Sequence, residues 1–410
     1  MLHRYLIVAF FVFCSFQGYS QALGFSLADG KTKVQIPIEI YNNLIVVPVV
    51  LNGALPLKFI LDTGVRTAIL TQKSFTDILN LSYSRKYTIS GPGGEKLVDA
   101  YVTNNVSLEL PGVLGRGHAL LVLEEDYLEL RNYLGTDVHG ILGYELFSRF
   151  IVQVNYEKKL LTLMLPQRFK MKRKFHAVPI RIEDTKPYIT TPIVLADGTQ
   201  LTAKLLMDSG ASHGLMLDPG SDSRIEVPEK VVSSVIGRGL GGEITGKVGR
   251  IKALHMGPYQ LENLIANFPD PNSYFDSLKT GATPRNGSIG GESLSRFTVI
   301  FNFPKEEIYL KKNHAFKKGF HYNLSGLTVK AKGSSLNVFE ITEVRRESVA
   351  DRAGIKEGDI LVTINGMPAS QIDLNVINAL FNYKPRKKIN LTLDRKGQRM
   401  KVDFRLEDQI

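Results

Sequence analysis

Two aspartates stand in nearly identical surroundings in this chain of 410 residues. Asp62 begins an Asp-Thr-Gly tripeptide, Asp208 begins an Asp-Ser-Gly tripeptide, and each follows a run of apolar residues. The apolar run predicts a β-strand that ends at the aspartate, and the glycine permits a close approach of another backbone. Two carboxyl groups held together share one proton, so one can accept a proton from water while the other polarises a carbonyl group. One such tripeptide is an ordinary turn, but the pair points to hydrolysis.

The two aspartates belong to a long internal repeat. Three blocks recur in the same order at nearly constant separations: the tripeptides at 146 residues, residues 140–150 and 287–297 at 147, and residues 93–95 and 241–243 at 148. This order indicates one duplicated lobe. Short runs rich in Val, Ile, Leu, Tyr and Thr, broken by Gly, Pro and Asn, predict that each lobe is mostly β. In a pseudo-twofold arrangement the equivalent loops meet at the axis, which would bring the aspartates together.

These motifs resemble those of the aspartic peptidases over roughly residues 36–310. The resemblance implies two pseudo-twofold-related β lobes, one over residues 30–170 and one over residues 175–312. It also implies an endopeptidase that hydrolyses peptide or protein substrates with a water molecule activated between Asp62 and Asp208, without a metal ion or another cofactor. The lobes look more like retroviral-type units fused in one chain than like the longer lobes of pepsin.

The same resemblance assigns supporting roles around the aspartates. The hydroxyl residues of the tripeptides would bond across the lobes and hold the carboxyl groups coplanar, and glycine-rich hairpins would close over the substrate as flaps. The supporting residues of the catalytic loops are Thr63, Gly64, Ser209 and Gly210, and the flap candidates are Gly93, Gly94, Gly241 and Gly242.

Several residues depart from the family pattern. Val65 and Arg66 follow the first tripeptide where the family has small residues, and Ser288 replaces an apolar residue. Neither Val65 nor Ala211 carries a hydroxyl that could stabilise a carboxylate, so we expect a pH optimum less acidic than that of pepsin-like enzymes. Arg66 could instead hold Asp62 as a simple carboxylate, which leaves open a catalytically inactive peptide-binding scaffold. An enzyme that cleaves only its own chain or one partner is a third reading.

The composition changes after a basic joint at residues 311–318. Residues 348–366 contain the series Ala-Gly-Ile, Gly-Asp-Ile-Leu and Ile-Asn-Gly, which resembles a PDZ domain over residues 320–408. Such a domain is a partly open β-barrel with short helices. Local rules predict a strand at residues 338–344, a short helix that ends at Gly354, and an Asn-Gly hairpin.

The PDZ resemblance implies a ligand with a free C-terminus. Backbone N–H groups of the loop Ser325-Gly326-Leu327 would receive its carboxylate, and the peptide would add as a strand along residues 327–329. Thr328 departs from the usual glycine of that loop, so the preferred ligand stays open. The alternative is a packing module that binds no ligand.

The first residues have the layout of an export signal. Two basic residues, His3 and Arg4, precede an apolar stretch at residues 6–13, and small residues follow. This pattern predicts a secretory signal peptide over residues 1–20, too short for the about 20 apolar residues that span a bilayer. We expect a secreted or periplasmic protein with no transmembrane segment after signal removal. A phenylalanine precedes Cys14 where lipid attachment requires a small residue, so we do not expect a lipid anchor.

Composition and local context exclude other classes. The hydrophobic fraction of 43% and charged fraction of 22% are those of a globular protein, and one cysteine excludes a disulfide framework. The net charge of +11 is spread over joints and loops, so no nucleic-acid partner is expected. Residues 237–242 match a dinucleotide fingerprint, but the next stretch looks like a strand and not a helix. His213 has no second ligand at metal spacing, so no metal site is expected.

Overall fold

The computed structural model describes residues 23–94, 97–271 and 284–410. The predicted signal peptide at residues 1–20, with Cys14, lies outside the described residues. The described chain is mostly β, with 48% of residues in strands and 13% in helices, which confirms the predicted fold class. Within the described ranges, no helix has both the length and the apolar character needed to cross a membrane.

The N-terminal lobe begins before the predicted residue 30, because its first strand pairs with another strand of the lobe. Its strands are β1 (Gly24–Leu27), β2 (Lys33–Pro37), β3 (Glu39–Tyr41), β4 (Leu44–Leu51), β5 (Leu55–Leu61), β6 (Ile69–Leu70), β7 (Arg85–Ile89), β8 (Val98–Val106), β9 (Leu108–Glu109), β10 (Val113–Arg116), β11 (His118–Leu123), β12 (Gly140–Leu142), β13 (Ile151–Asn155) and β14 (Leu160–Met164). Its helices are α1 (Ser74–Ile78), α2 (Leu130–Leu134) and α3 (Tyr144–Arg149), with 3-10 turns at Ala28–Gly30 and Pro166–Arg168.

The C-terminal lobe repeats this plan. Its strands are β15 (His176–Pro179), β16 (Arg181–Glu183), β17 (Lys186–Val194), β18 (Gln200–Met207), β19 (Leu215–Leu217), β20 (Val232–Gly239), β21 (Gly242–Met256), β22 (Tyr259–Pro269), β23 (Gly287–Ile289), β24 (Phe297–Asn302) and β25 (Glu307–Lys312). Its helix is α4 (Gly291–Leu294), with 3-10 turns at Phe303–Lys305 and His314–Lys317.

The main sheets of the two lobes have the same strand order. The first runs β3-β4-β5-β12-β6-β11-β8-β7 with β9 beside β4, and the second runs β16-β17-β18-β23-β19-β22-β21-β20. Each strand of the second sheet therefore takes the place of one strand of the first. This common topology is the arrangement that a duplicated lobe predicts.

A third sheet joins the lobes in the order β15-β25-β24-β13-β14-β2. At its centre β13 pairs antiparallel with β24, and Gln153 lies opposite Ile300. These two residues are also equivalent in the repeat, at the 147-residue separation. A residue that pairs with its own equivalent lies on the local twofold axis, so the axis passes between β13 and β24.

One hydrophobic core runs through both lobes. Near the joint, the ring of Phe147 stacks on Phe303 at 5.2 Å and meets Phe301 edge-on at 5.4 Å. These aromatic pairs cross the lobe boundary and stabilise the relative orientation of the lobes.

The C-terminal domain has its own core. Its elements are β26 (Leu327–Lys332), β27 (Val338–Val344), α5 (Val349–Arg352), β28 (Ile360–Ile364), β29 (Met367–Pro368), α6 (Leu374–Phe381), β30 (Lys388–Arg395) and β31 (Gln398–Arg405), with a 3-10 turn at Ala369–Gln371. The sheet order is β26-β27-β28-β30-β31, with β29 beside β28. The predictions of a strand at residues 338–344 and of a short helix before Gly354, whose φ is +77°, are confirmed. The predicted Asn-Gly hairpin joins β28 to β29 through Asn365 and Gly366.

Two arginines of the C-terminal lobe anchor the chain that leads to this domain. The guanidinium of Arg296 donates to the carbonyl oxygen of Ala315 at 2.8 Å. That of Arg250 donates to the main-chain oxygens of Phe320 at 3.2 Å and Ile410 at 3.0 Å. The C-terminal domain is thereby fastened to the second lobe at both of its ends.

Candidate active site

Asp62 and Asp208 begin the loops that follow the equivalent strands β5 and β18. Each loop rests on the neighbouring parallel strand, because the Asp62 N–H donates to Leu142 O at 2.8 Å and the Asp208 N–H donates to Ile289 O at 2.9 Å. Strands β12 and β23, which begin the repeated blocks at residues 140–150 and 287–297, thus lie beneath the two loops. This support fixes the point at which each aspartate leaves its strand.

The middle residues of the tripeptides bond crosswise between the lobes. The Thr63 hydroxyl donates to Met207 O at 2.5 Å and accepts from the Ser209 N–H at 3.0 Å. The Ser209 hydroxyl donates to Leu61 O at 2.8 Å and accepts from the Thr63 N–H at 3.1 Å. Both side chains are fully buried. Four buried hydrogen bonds of this kind set the spacing of the two loops.

The two carboxyl groups converge over the glycines of the tripeptides. Oδ1 of Asp62 accepts from the Gly64 N–H at 2.6 Å, and Oδ1 of Asp208 accepts from the Gly210 N–H at 3.0 Å. A Cβ on Gly64 would lie 3.1 Å from the first oxygen and 3.8 Å from the second, and a Cβ on Gly210 would overlap the Asp62 carboxyl group. Any side chain at Gly210 would displace that carboxyl group.

Burial, which is the largest cause, and the negative charge of Asp208 together raise the pKa of Asp62 to about 8. The Gly64 N–H and the charge of Lys186 oppose this rise in pKa more weakly. Both aspartates remain partly accessible at the surface of the loops. The pair therefore holds one shared proton at neutral pH and is open to a reactant.

Arg66 points away from the pair. Its guanidinium lies 3.7 Å from the Asp184 carboxylate of the opposite lobe, and both side chains are exposed. The equivalent residue, Ser212, accepts through its carbonyl oxygen from the side chain of Asn43 at 3.4 Å. In each lobe, a turn between two strands thus contacts the aspartate loop of the other lobe.

Lys186, which the sequence did not single out, carries a positive charge that lowers the pKa of Asp62. It begins β17 in the other lobe, directly after the turn that contains Asp184. The only sequence signal was its place at the end of that hairpin, and a separation of more than a hundred residues hid its proximity to Asp62.

His213 and Ser288 form a partly buried pair beside the second loop. His213 Nε2 lies 3.0 Å from the Ser288 hydroxyl, and burial lowers the pKa of the imidazole. Ser288 sits on β23, where the family pattern has an apolar residue. The departure has a physical reason, because the Ser288 hydroxyl supplies a hydrogen-bond partner for a ring nitrogen of the half-buried His213.

The flap candidates lie at the tips of two hairpins that touch each other. One hairpin joins β7 to β8, and the other joins β20 to β21. The Gly241 N–H donates to Pro92 O at 2.9 Å. A Cβ on Gly241 would lie 2.5 Å from Gly91 O, and a Cβ on Gly93 would overlap Gly242 O, while Gly94 is less crowded. The tips pack backbone to backbone, and residues 95 and 96 lie outside the described residues.

These contacts place two features on one axis. Asp62 and Asp208 are equivalent residues that meet, and the two hairpin tips are equivalent segments that meet. The local twofold axis therefore passes between the two aspartates and between the hairpin tips, as well as between β13 and β24.

Residues 237–242, which match the dinucleotide fingerprint, belong to the β20–β21 hairpin. They lead into strand β21, so the prediction that a strand and not a helix follows the fingerprint is confirmed.

Comparison with known protein families agrees with this geometry. Residues 47–146 match the family described as aspartyl protease, and residues 340–395 match the PDZ domain. The chain combines an aspartyl protease domain with a C-terminal PDZ domain. The protease match contains Asp62 but ends before Asp208, whose assignment rests on the shared strand order and the crosswise bonds. A search of the curated proteins found no match.

The loop before β26 differs from the expected carboxylate site of the PDZ domain. The Gly326 N–H donates to the Asn323 side chain at 2.9 Å, and the Leu327 N–H donates to the Ser325 hydroxyl at 3.1 Å. Ser325 is fully buried. Two amides expected to receive a ligand carboxylate are therefore already bonded inside the loop, because Asn323 and Ser325 supply acceptors that sequence reasoning did not consider.

Proposed function

We propose that the protein is an aspartic endopeptidase in which Asp62 and Asp208 activate water against a peptide bond. The observation that carries this proposal is the crosswise bonding of Thr63 and Ser209, which holds two equivalent carboxyl groups together with one shared proton. A structural turn gains nothing from two converging acids, since their mutual repulsion and burial cost stability.

The two carboxyl groups of the pair have different roles in the hydrolysis of the peptide bond. The ionised carboxylate of the pair accepts a proton from water, and the resulting hydroxide adds to the carbonyl carbon. The protonated carboxyl group donates a hydrogen bond to the carbonyl oxygen and stabilises its developing negative charge. Collapse of the tetrahedral intermediate breaks the C–N bond, and the pair returns the proton to the leaving nitrogen. The aspartates finish with one shared proton, as they began.

The hairpins support the same proposal. Their tips lie on the axis that passes between the aspartates, so a peptide chain across the axis would have a carboxyl pair on one side and the tips on the other. Opening the glycine contact at the tips would admit the chain. Closing it would exclude water and align the peptide bond.

The contact of Arg66 with Asp184 weakens the scaffold alternative. That alternative required a guanidinium beside Asp62 to hold it as a simple carboxylate. Arg66 is instead exposed and turned to the other lobe. With the raised pKa of Asp62, this geometry favours a working acid pair over an inert carboxylate.

We further propose that the protein is exported and acts in the periplasm or outside the cell. The support is the sequence pattern of residues 1–20 alone. The proposal is tested by N-terminal sequencing of the mature protein recovered from cell fractions. Removal of about twenty residues is expected, and an intact N-terminus in the cytoplasm would overturn it.

The decisive test of the enzyme compares three purified proteins: the wild type, Asp62→Asn and Asp208→Asn. Each is incubated with a denatured protein mixture between about pH 4 and pH 9, and new peptide termini are identified by mass spectrometry. We expect cleavage by the wild type and loss of at least about a thousandfold in both variants, because neither can share the proton. Equal cleavage by a folded variant would exclude the pair as the catalyst.

A further inference from the structure

The PDZ domain packs against the N-terminal lobe at its own peptide groove. Strand β26 is the edge strand of the PDZ sheet, and α6 packs beside it. A peptide that adds as a strand to β26 lies between β26 and α6. Contacts made by these two elements therefore report what occupies the groove.

A short segment of the N-terminal lobe, residues 129–135, touches both walls of the groove. The Asn132 side chain donates to the carbonyl oxygen of Ala331 on β26 at 2.7 Å. At the other wall, Gly135 packs so closely on α6 that a Cβ there would lie 2.5 Å from Leu374 Cβ. The segment thus lies across the part of the groove near the end of β26.

The same segment is bonded to a flap hairpin through one carboxylate. Glu129 accepts from Lys330 Nζ of β26 at 3.0 Å and from the Arg238 guanidinium of β20 at 3.0 Å. Tyr133 makes a second link between the PDZ domain and the flap hairpin. The centre of its ring lies 4.2 Å from Lys330 Nζ, and its hydroxyl donates to Glu243 of β21 at 3.0 Å. Most of the Lys330 and Arg238 side chains are buried, which strengthens these charged contacts compared with surface pairs.

We propose that residues 129–135 are an internal ligand of the PDZ groove and that their release from the groove frees the β20–β21 flap. The ligand that displaces them is an extended peptide segment of a polypeptide, since Gly326 and Leu327 already donate their amides within the loop. The consequence for catalysis rests on the proposed protease function. The coupling between the groove and the flap does not depend on that function.

The attachments to the second lobe make such a release local. Arg250 and Arg296 bind the segments at both ends of the PDZ domain, through Ile410, Phe320 and Ala315, which lie outside residues 129–135. The domain can therefore move away from the N-terminal lobe while it stays fastened to the C-terminal lobe. The flap loses the Glu129 contact to Arg238 in the same step.

The first test uses Gly135→Asn in the full chain, because a side chain at this position would clash with Leu374 and push the segment out of the groove. Asparagine tolerates the left-handed backbone, and the φ of Gly135 is +66°. The matched control is Gly53→Asn, because Gly53 has a φ of +65° in the same lobe and open space around it. Hydrogen exchange followed by mass spectrometry reports on β26, on the β20–β21 tip and, as a reference, on β13.

We expect amides of both β26 and the β20–β21 tip to exchange at least about tenfold faster in Gly135→Asn, with β13 unchanged and the control like the wild type. Faster exchange of β26 with an unchanged flap would overturn the coupling. Unchanged exchange of β26 would overturn the internal ligand. Because no substrate is present, either failure is independent of whether the protein is a protease.

The second test removes the shared carboxylate without a steric change. Glu129→Gln weakens the bonds to Lys330 and Arg238, and Glu125→Gln is the control because it is exposed in the same loop. The flap tip is expected to exchange about tenfold faster in the first variant only. Equal exchange in both variants would show that Glu129 does not connect the groove to the flap.

Discussion

The carboxyl group of Asp62 fills the space where Gly210 would carry a side chain. The opposite relationship is looser, because a Cβ on Gly64 would lie 3.8 Å from the nearest oxygen of Asp208. The pseudo-twofold pair is therefore asymmetric. Asp62 is pressed against the backbone of the other lobe, which agrees with burial as the largest cause of its raised pKa.

This asymmetry predicts the pH dependence of hydrolysis. The pKa of Asp62 is raised to about 8, so the pair keeps its shared proton across the neutral range and loses it above that value. We expect kcat/KM on a denatured protein to be highest between weakly acidic and neutral pH and to fall tenfold per unit above about pH 8. Initial rates from about pH 2 to about pH 9 measure the profile, and aliquots returned to one reference pH before assay exclude irreversible losses. An optimum below about pH 3 contradicts the prediction.

The raised pKa of Asp62 also predicts a gain in stability for Asp62→Asn. An acid whose pKa is higher in the folded state binds more protons there than in the unfolded state, so it lowers stability as pH rises from about 4 to about 8. The side chain of Asp62→Asn does not ionise, so this variant does not lose stability over that pH range. Its melting temperature is expected to exceed that of the wild type at pH 8 and to approach it at pH 4. Asp403→Asn, at an exposed pair, is the control and should show no such trend.

Loss of the Thr63 hydroxyl should reduce activity and stability more than loss of its methyl group. Thr63→Ala removes one donor to Met207 and one acceptor for the Ser209 N–H. Each buried group left unpaired costs about 1–3 kcal/mol, and the carboxyl groups lose their alignment. We expect a lower melting temperature and a fall in kcat of at least about a hundredfold.

Thr63→Ser is the matched variant for this prediction, since it keeps the hydroxyl and resembles the second lobe. It should retain most of the activity and stability. If the alanine and serine variants behave alike, the crosswise hydrogen bonds do not set the geometry of the pair.

Local sequence patterns and the internal repeat were sufficient to predict several features of the fold and of the site. The tripeptides, the apolar strands that end at them and the hairpin at Asn365 follow from patterns within a few residues. The effect of the Lys186 charge on the pKa of Asp62 and the ion pair of Glu129 with Lys330 depend on packing between lobes or domains. No local pattern encodes these contacts. The internal bonds of the loop at residues 325–327 could not be predicted for a related reason, because the acceptor for the Gly326 N–H is the side chain of Asn323.

The flap contact predicts a steric effect at Gly241. A Cβ there would lie 2.5 Å from Gly91 O, so Gly241→Ala forces the hairpin tips apart. Gly237→Ala is the control on the same hairpin, because its Cβ would meet only Ile244 at 3.7 Å. We expect KM to rise several-fold and tip amides to exchange faster in Gly241→Ala alone. Equal behaviour of the two variants would mean that tip packing does not close the site.

The pair formed by His213 and Ser288 predicts an acid limit to stability. Burial lowers the pKa of His213, so the unfolded chain binds a proton below about pH 6.5 that the folded chain does not, and stability falls as pH decreases. Ser288→Ala should cost about 1–3 kcal/mol at pH 8, because His213 Nε2 loses its partner. His213→Leu should remove the acid sensitivity and make the second substitution nearly neutral. Denaturation of the four proteins of this cycle at pH 8 and pH 5 measures both effects. Additive costs at pH 8, or an unchanged slope with pH in His213→Leu, would contradict this account of the pair.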